Sequence, residues 1–140
     1  MKTLKRSILA CFVAALLVAG CDHADPDDGP GNQLEPTLAS IQANIFTTTC
    51  AVSGCHIGGG TVLPGAMTLS AGQARGNTVG VPSIENPDLS RIAPGDPDNS
   101  YLVWKIEGRA QPRMPLGRAP LSGEQIGVIR QWIADGAPDN

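Results

Sequence analysis

The chain has 140 residues, a formal net charge of −3 and four cysteines. Length allows about one small domain after a leader. The folded part has no basic stripe of the kind nucleic acid requires.

The N-terminus reads as a targeting segment. Lys2, Lys5 and Arg6 precede an apolar run from Ile8 to Ala19. That run is too short and wrongly flanked for a membrane span and fits a signal peptide. Its end, Leu17-Val18-Ala19-Gly20-Cys21, resembles the bacterial lipobox. By that resemblance residues 1–20 are removed and Cys21 is lipidated, tethering the chain to a membrane. Asp22 then resembles an inner-membrane retention signal, and the expected location is the periplasmic side of a bacterial membrane. The alternative is a plain secretory signal with an incidental cysteine. Removal of three basic residues makes the mature chain more acidic. Residues 21–36 form an Asp/Gly/Pro linker unable to bury a core. His23 within it is a solvent-exposed bystander.

The folded region, 37–140, begins with a helix expected over 38–48. Leu38, Ile41 and Ile45 share a face, Phe46 lies beside them, and Thr37 is placed to cap. Cys50-Ala51-Val52-Ser53-Gly54-Cys55-His56 follows. Two cysteines with a histidine directly after the second are the pattern that anchors a haem: the thiols add to the porphyrin vinyl groups and the imidazole reaches the iron. The usual spacing is Cys-x-x-Cys-His; here four residues separate the cysteines. The longer loop can bulge outward, with Gly54 giving it freedom. Gly58, Gly59 and Gly60 would let backbone pass close to a porphyrin. In an oxidising compartment Cys50 and Cys55 either pair or bind something.

A long Gly/Pro/Asn segment, 56–97, carries at most a helical turn or two, near Ala71 to Arg75. Loops of this length usually carry function. A second helix is expected over 100–107, with polar capping groups in Asp96-Pro97-Asp98-Asn99, a buried stripe of Leu102, Val103 and Ile106, and Gly108 as terminator. The last helix is the clearest. Ser122 and Gln125 have capping-box spacing, Ile126, Ile129, Trp132 and Ile133 make the apolar face, and Gly136 then Pro138 close it.

This order resembles a class I-type cytochrome c domain, nearest to the planctomycete-type domains of exported bacterial proteins. The residues carrying the resemblance are Cys50, Cys55-His56, the stretch Pro94 to Leu102, Arg113-Met114-Pro115, and Leu121 through Ala137. It spans nearly all of 38–138. It implies an all-α fold, a small helical domain with long loops wrapping one covalent haem c, and first and last helices crossing beside it. His56 is the expected proximal ligand and Met114 the distal one, a soft thioether that raises the haem potential. Met67 is the rival thioether. Arg113 is placed to meet a haem propionate. Trp104, Trp132 and Tyr101 read as packing groups.

The implied function is one-electron carriage between redox proteins in the periplasm or at the membrane, with no nucleic acid and no small-molecule substrate. It is a carrier and not an enzyme by itself, whether free or docked as a subunit of an oxidoreductase. The alternative is a haem-free interaction lipoprotein on the same scaffold, with Cys50 and Cys55 closing a disulfide loop. Zinc is disfavoured by counting: the folded region offers only three Cys and His side chains, and structural zinc usually takes four. A thiol enzyme would need a separate base, and no second histidine exists there.

Overall fold

The structure is a computed structural model, and it describes residues 33–58 and 66–140. The signal segment, Cys21, Asp22, His23, Gly59 and Gly60 lie outside the described residues. Among the described residues the architecture is helical. Extended pairing is limited to isolated bridges, Val79 with Ile92, Pro82 with Ser90 and Ala93 with Asp96. No described helix is long and apolar enough to cross a membrane.

Helix α1 spans Leu38–Ile41. Thr37 caps it, its hydroxyl accepting from the Ser40 N–H at 3.2 Å. The first N–H groups of the helix reach the chain's last residue: Leu38 donates to Asn140 Oδ1 at 2.9 Å and Ala39 to the Asn140 carbonyl at 2.8 Å. The helix then continues as a π-helix over Gln42–Cys50, where an ordinary α-helix to Thr48 was expected. The side chains supply a reason. Thr48 Oγ1 donates to the Asn44 carbonyl at 2.8 Å, occupying the acceptor that Thr48's own N–H would use in an α-helix. Bonds five residues apart are exemplified by Ala51 N–H to the Phe46 carbonyl at 2.7 Å. In this wider register Ile45 and Cys50 turn toward one side, and both line the same cavity.

Helix α2 spans Ala74–Thr78, three residues beyond the expected start. Helix α3 spans Tyr101–Glu107 and stops at Gly108, whose φ of 81° is left-handed. The expected capping by Asp96 to Asn99 is not what forms. Asp96 Oδ1 accepts from Asn99 N–H inside its own turn. Ser100, at the N-cap, spends its hydroxyl on Ala93 and Asp96 backbone.

Helix α4 spans Gly123–Ala134 with both halves of the Ser122–Gln125 capping box present. Its end is a Schellman motif: Gly136 N–H reaches the Ile133 carbonyl and Ala137 N–H the Trp132 carbonyl, each at 2.9 Å. Both α1 and α3 contact α4. Trp132, Ile129 and Ile133 of α4 are fully buried with Ile41, Ile45 and Val103. Trp132 keeps its indole N–H satisfied on the Pro138 carbonyl at 3.0 Å.

Gly136 has φ 94°, and a Cβ there would meet nothing within 4 Å. Gly136→Ala should therefore cost only backbone strain, about 1–2 kcal/mol, and Ser122→Ala about 1 kcal/mol from the lost cap. Urea unfolding of the two variants checks both values.

Candidate haem site

The turn after the π-helix is tied down on two sides. His56 N–H donates to the Cys50 carbonyl at 3.1 Å, and Cys55 N–H to the Val52 carbonyl at 2.9 Å. Gly54 takes φ 78° inside it, a left-handed conformation that glycine adopts without a Cβ penalty. From the other side, segment 67–70 clamps the loop: Leu69 N–H donates to the His56 carbonyl, and the Thr68 and Ser70 hydroxyls both donate to the Ile57 carbonyl, all at 2.8 Å.

The imidazole itself is fixed. His56 Nδ1 lies 3.1 Å from the Met67 carbonyl oxygen. A carbonyl can only accept, so Nδ1 carries the proton and the neutral ring keeps its lone pair on Nε2. Donation of the second ring N–H to a backbone carbonyl is the usual support of a metal-bound histidine.

His56 opens onto a cavity of about 320 Å³, within the range of cofactor sites. Cys50, Cys55 and Met114 line the same cavity. The structure thus brings together four residues expected at the site, from two separate parts of the chain, the 50–56 turn and the loop at Met114. Ile45 and Phe46 from the π-helix, Leu102 and Ile106 from α3, and Ile129 from α4 form much of the apolar wall. Met114 is half-buried and packs against the core, its N–H donating to the Lys105 carbonyl at 2.9 Å. Pro112 and Pro115, both after cis peptides, also line the space.

Met67 reaches the cavity as well. Its carbonyl is bonded to the His56 ring, which places its backbone beside that imidazole.

Two expectations are corrected. Arg113 is exposed and does not line the cavity; its side chain lies over Gly108, where a Cβ would stand 3.1 Å from Arg113 Cδ. Gly58 faces Thr68, with room for no Cβ, since one would stand 2.7 Å from Thr68 Cβ. Neither residue touches the cavity. Trp104 and Trp132 do not line it either, and both bond backbone carbonyls instead.

The charged residues at the cavity were not selected from sequence. Arg91, Lys105, Arg118 and Glu85 line it. Lys105 could have been found, because it stands three residues after Leu102 on the buried stripe of α3. Arg91, Glu85 and Arg118 sit in aperiodic segments and give no such signal. Lys105 Nζ is 2.8 Å from Glu85 Oε2, and the Tyr101 hydroxyl donates to the same oxygen at 3.1 Å. Burial alone would raise the Glu85 pKa, but the adjacent Lys105 ammonium and the hydrogen bond from the Tyr101 hydroxyl prevail and hold it below the ordinary value. Among the described residues no group of three His, Cys, Asp or Glu side chains gathers for a metal.

Both cysteines are free thiols. Burial pushes the Cys50 thiol up to about 11; the neighbouring Cys55 adds to this and Arg118 partly opposes it.

Compared with protein-family models, curated proteins and solved structures, the chain finds no match in any of the three.

The Cys50 shift has a measurable sign. The thiolate is the reactive form, so in the reduced, haem-free protein Cys50 should alkylate slowly at pH 8, its rate rising about tenfold per pH unit toward pH 11. Peptide-level mass spectrometry after iodoacetamide pulses checks this. Since folding raises this pKa, its stabilising effect is full below the ordinary thiol value of about 8.5 and is lost as pH climbs through about 11.

Proposed function

We propose that the protein is a lipid-anchored, monohaem c-type cytochrome that carries single electrons on the periplasmic side of a bacterial membrane. Its helical domain would be cytochrome c-like, with Cys21 as the lipid attachment point. The observation that carries the reading is the convergence of Cys50, Cys55, His56 and Met114 on one apolar cavity, with the His56 ring already held in the tautomer that leaves Nε2 able to bind iron.

The donor set fits the group. Two thiols match two vinyl positions, and imidazole with thioether is a known axial pair for haem iron. Bound there, a haem would supply a one-electron couple whose potential the thioether ligand raises.

The chain's own residues have separable tasks. Cys50 and Cys55 tether the porphyrin so that it cannot dissociate. The Met67 carbonyl orients the His56 ring and makes its Nε2 a better donor. The Lys105 carbonyl positions Met114 through its backbone N–H. Ile45, Phe46, Leu102, Ile106 and Ile129 keep water from the cavity walls and lower the local dielectric. Redox proteins at or near the membrane would be the partners.

The haem-free reading would pair Cys50 with Cys55 in a disulfide. Intact mass separates the two readings. Protein from a host that matures c-type cytochromes should gain the mass of one haem and a Soret band; loss of two hydrogens with no absorbance would overturn the proposal and leave the disulfide alternative. A second test addresses the distal ligand. Met114→Ala should move the reduction potential to more negative values and admit carbon monoxide to the ferrous protein. If Met67→Ala gave those changes and Met114→Ala gave none, Met67 would replace Met114 in the ligand role.

A further inference from the structure

The chain carries seven cationic side chains after residue 37, on an overall acidic protein. Three of them, Arg91, Lys105 and Arg118, line the apolar cavity, against the single carboxylate of Glu85. The cavity therefore holds an excess of two positive charges. Burying a cation is costly unless partners compensate it.

Lys105 is the least compensated. Its side chain is 9% exposed. Nζ sits 2.8 Å from Glu85 Oε2, close enough for an ion pair, but the approach is too poorly angled for a hydrogen bond, and Nζ has no other partner. An ammonium has three donors, and one off-axis carboxylate oxygen cannot satisfy them. The Tyr101 ring, 5.9 Å away, adds only a weak electrostatic contact. Glu85 Oε2 is itself shared with the Tyr101 hydroxyl. Arg91 repeats the pattern less severely: it is 8% exposed, donates to the Asn77 carbonyl at 2.7 Å, and has no ion pair.

We infer that Lys105, supported by Arg91, is a carboxylate-recognition subsite within this cavity, and that its ligand is a propionate of the bound porphyrin. The inference rests on the haem reading above and specifies which end of the porphyrin goes where. The propionate edge meets α3 and the 81–91 segment, while the vinyl edge meets Cys50 and Cys55. A haem carries two carboxylates, which balance the excess of two positive charges. Glu85 then acts as the resident competitor, holding the ammonium and repelling an incoming carboxylate.

The test uses the haem-free full chain and a porphyrin that cannot form thioethers. Iron mesoporphyrin has ethyl groups in place of vinyls, so its binding stays reversible. It and its dimethyl ester, in which both carboxylates are neutralised, are titrated against quenching of tryptophan fluorescence. The wild-type protein should bind the diacid at least roughly tenfold more tightly than the ester, as expected for loss of a charge-assisted bond. Lys105→Met should bring that ratio toward one by weakening the diacid alone. Glu85→Gln, which leaves Lys105 in place and guards against a folding failure in Lys105→Met, should raise the ratio. Equal affinity of the wild-type protein for diacid and ester overturns the subsite and leaves the haem reading standing. A ratio unchanged in both variants does the same. Binding of neither porphyrin overturns the haem reading with it.

Discussion

The site depends on one hydrogen bond, from His56 Nδ1 to the Met67 carbonyl. It sets the tautomer, and so which ring nitrogen is available to the cavity. It also couples two segments remote in sequence, because the same stretch grips the His56 and Ile57 carbonyls through Leu69, Thr68 and Ser70. Without that clamp, the Cys50–His56 turn would be anchored only by its own short-range bonds. A ligand held on a loop needs such outside support to stay within bonding reach of a metal.

A second constraint works from the N-terminal side. Cys50 ends the helix that supplies two cavity walls, and its direction is set by the hydrogen-bond register of that helix. The π-helical register turns Cys50 toward the same side as Ile45, whose side chain is fully buried at the same cavity. Thr48's hydroxyl favours that register by competing for the Asn44 carbonyl. Departures from α geometry of this kind are frequent at functional sites. Here the departure aims a thiol, and it accompanies a cysteine pair with a wider gap than the usual haem motif.

The parts of the fold that were legible in sequence are those written in local chemistry. Ser122 with Gln125, and Gly136 before Pro138, announce the start and end of α4 through backbone groups a few residues away. The expectation that Cys50, Cys55, His56 and Met114 share one site came from their types and order, and the four do line one cavity. The π-helix was not legible, since apolar spacing at Leu38, Ile41 and Ile45 fits an α-helix as well. Arg113 was misplaced because adjacency to Met114 says nothing about which side of the loop faces the cavity. Lys105 was legible from its place on the buried stripe of α3, three residues after Leu102, but lysine on a short helix normally lies in solvent; Arg91, Glu85 and Arg118 reach the cavity from aperiodic segments. Charges that act across loops leave no periodic trace.

The cavity thus has an organised polarity: thiols and imidazole from the 50–56 turn, a thioether from the 112–116 loop, apolar walls from the helices, and buried cations from α3 and the 81–91 segment. The central claim is that His56 and Met114 hold the iron of a haem that Cys50 and Cys55 tether. X-ray absorption at the iron edge of protein isolated from a host that attaches haem tests it most directly. The expected spectrum shows pyrrole and imidazole nitrogens plus one thioether sulfur. An iron shell of nitrogen and oxygen alone, or no iron edge at all, would contradict it.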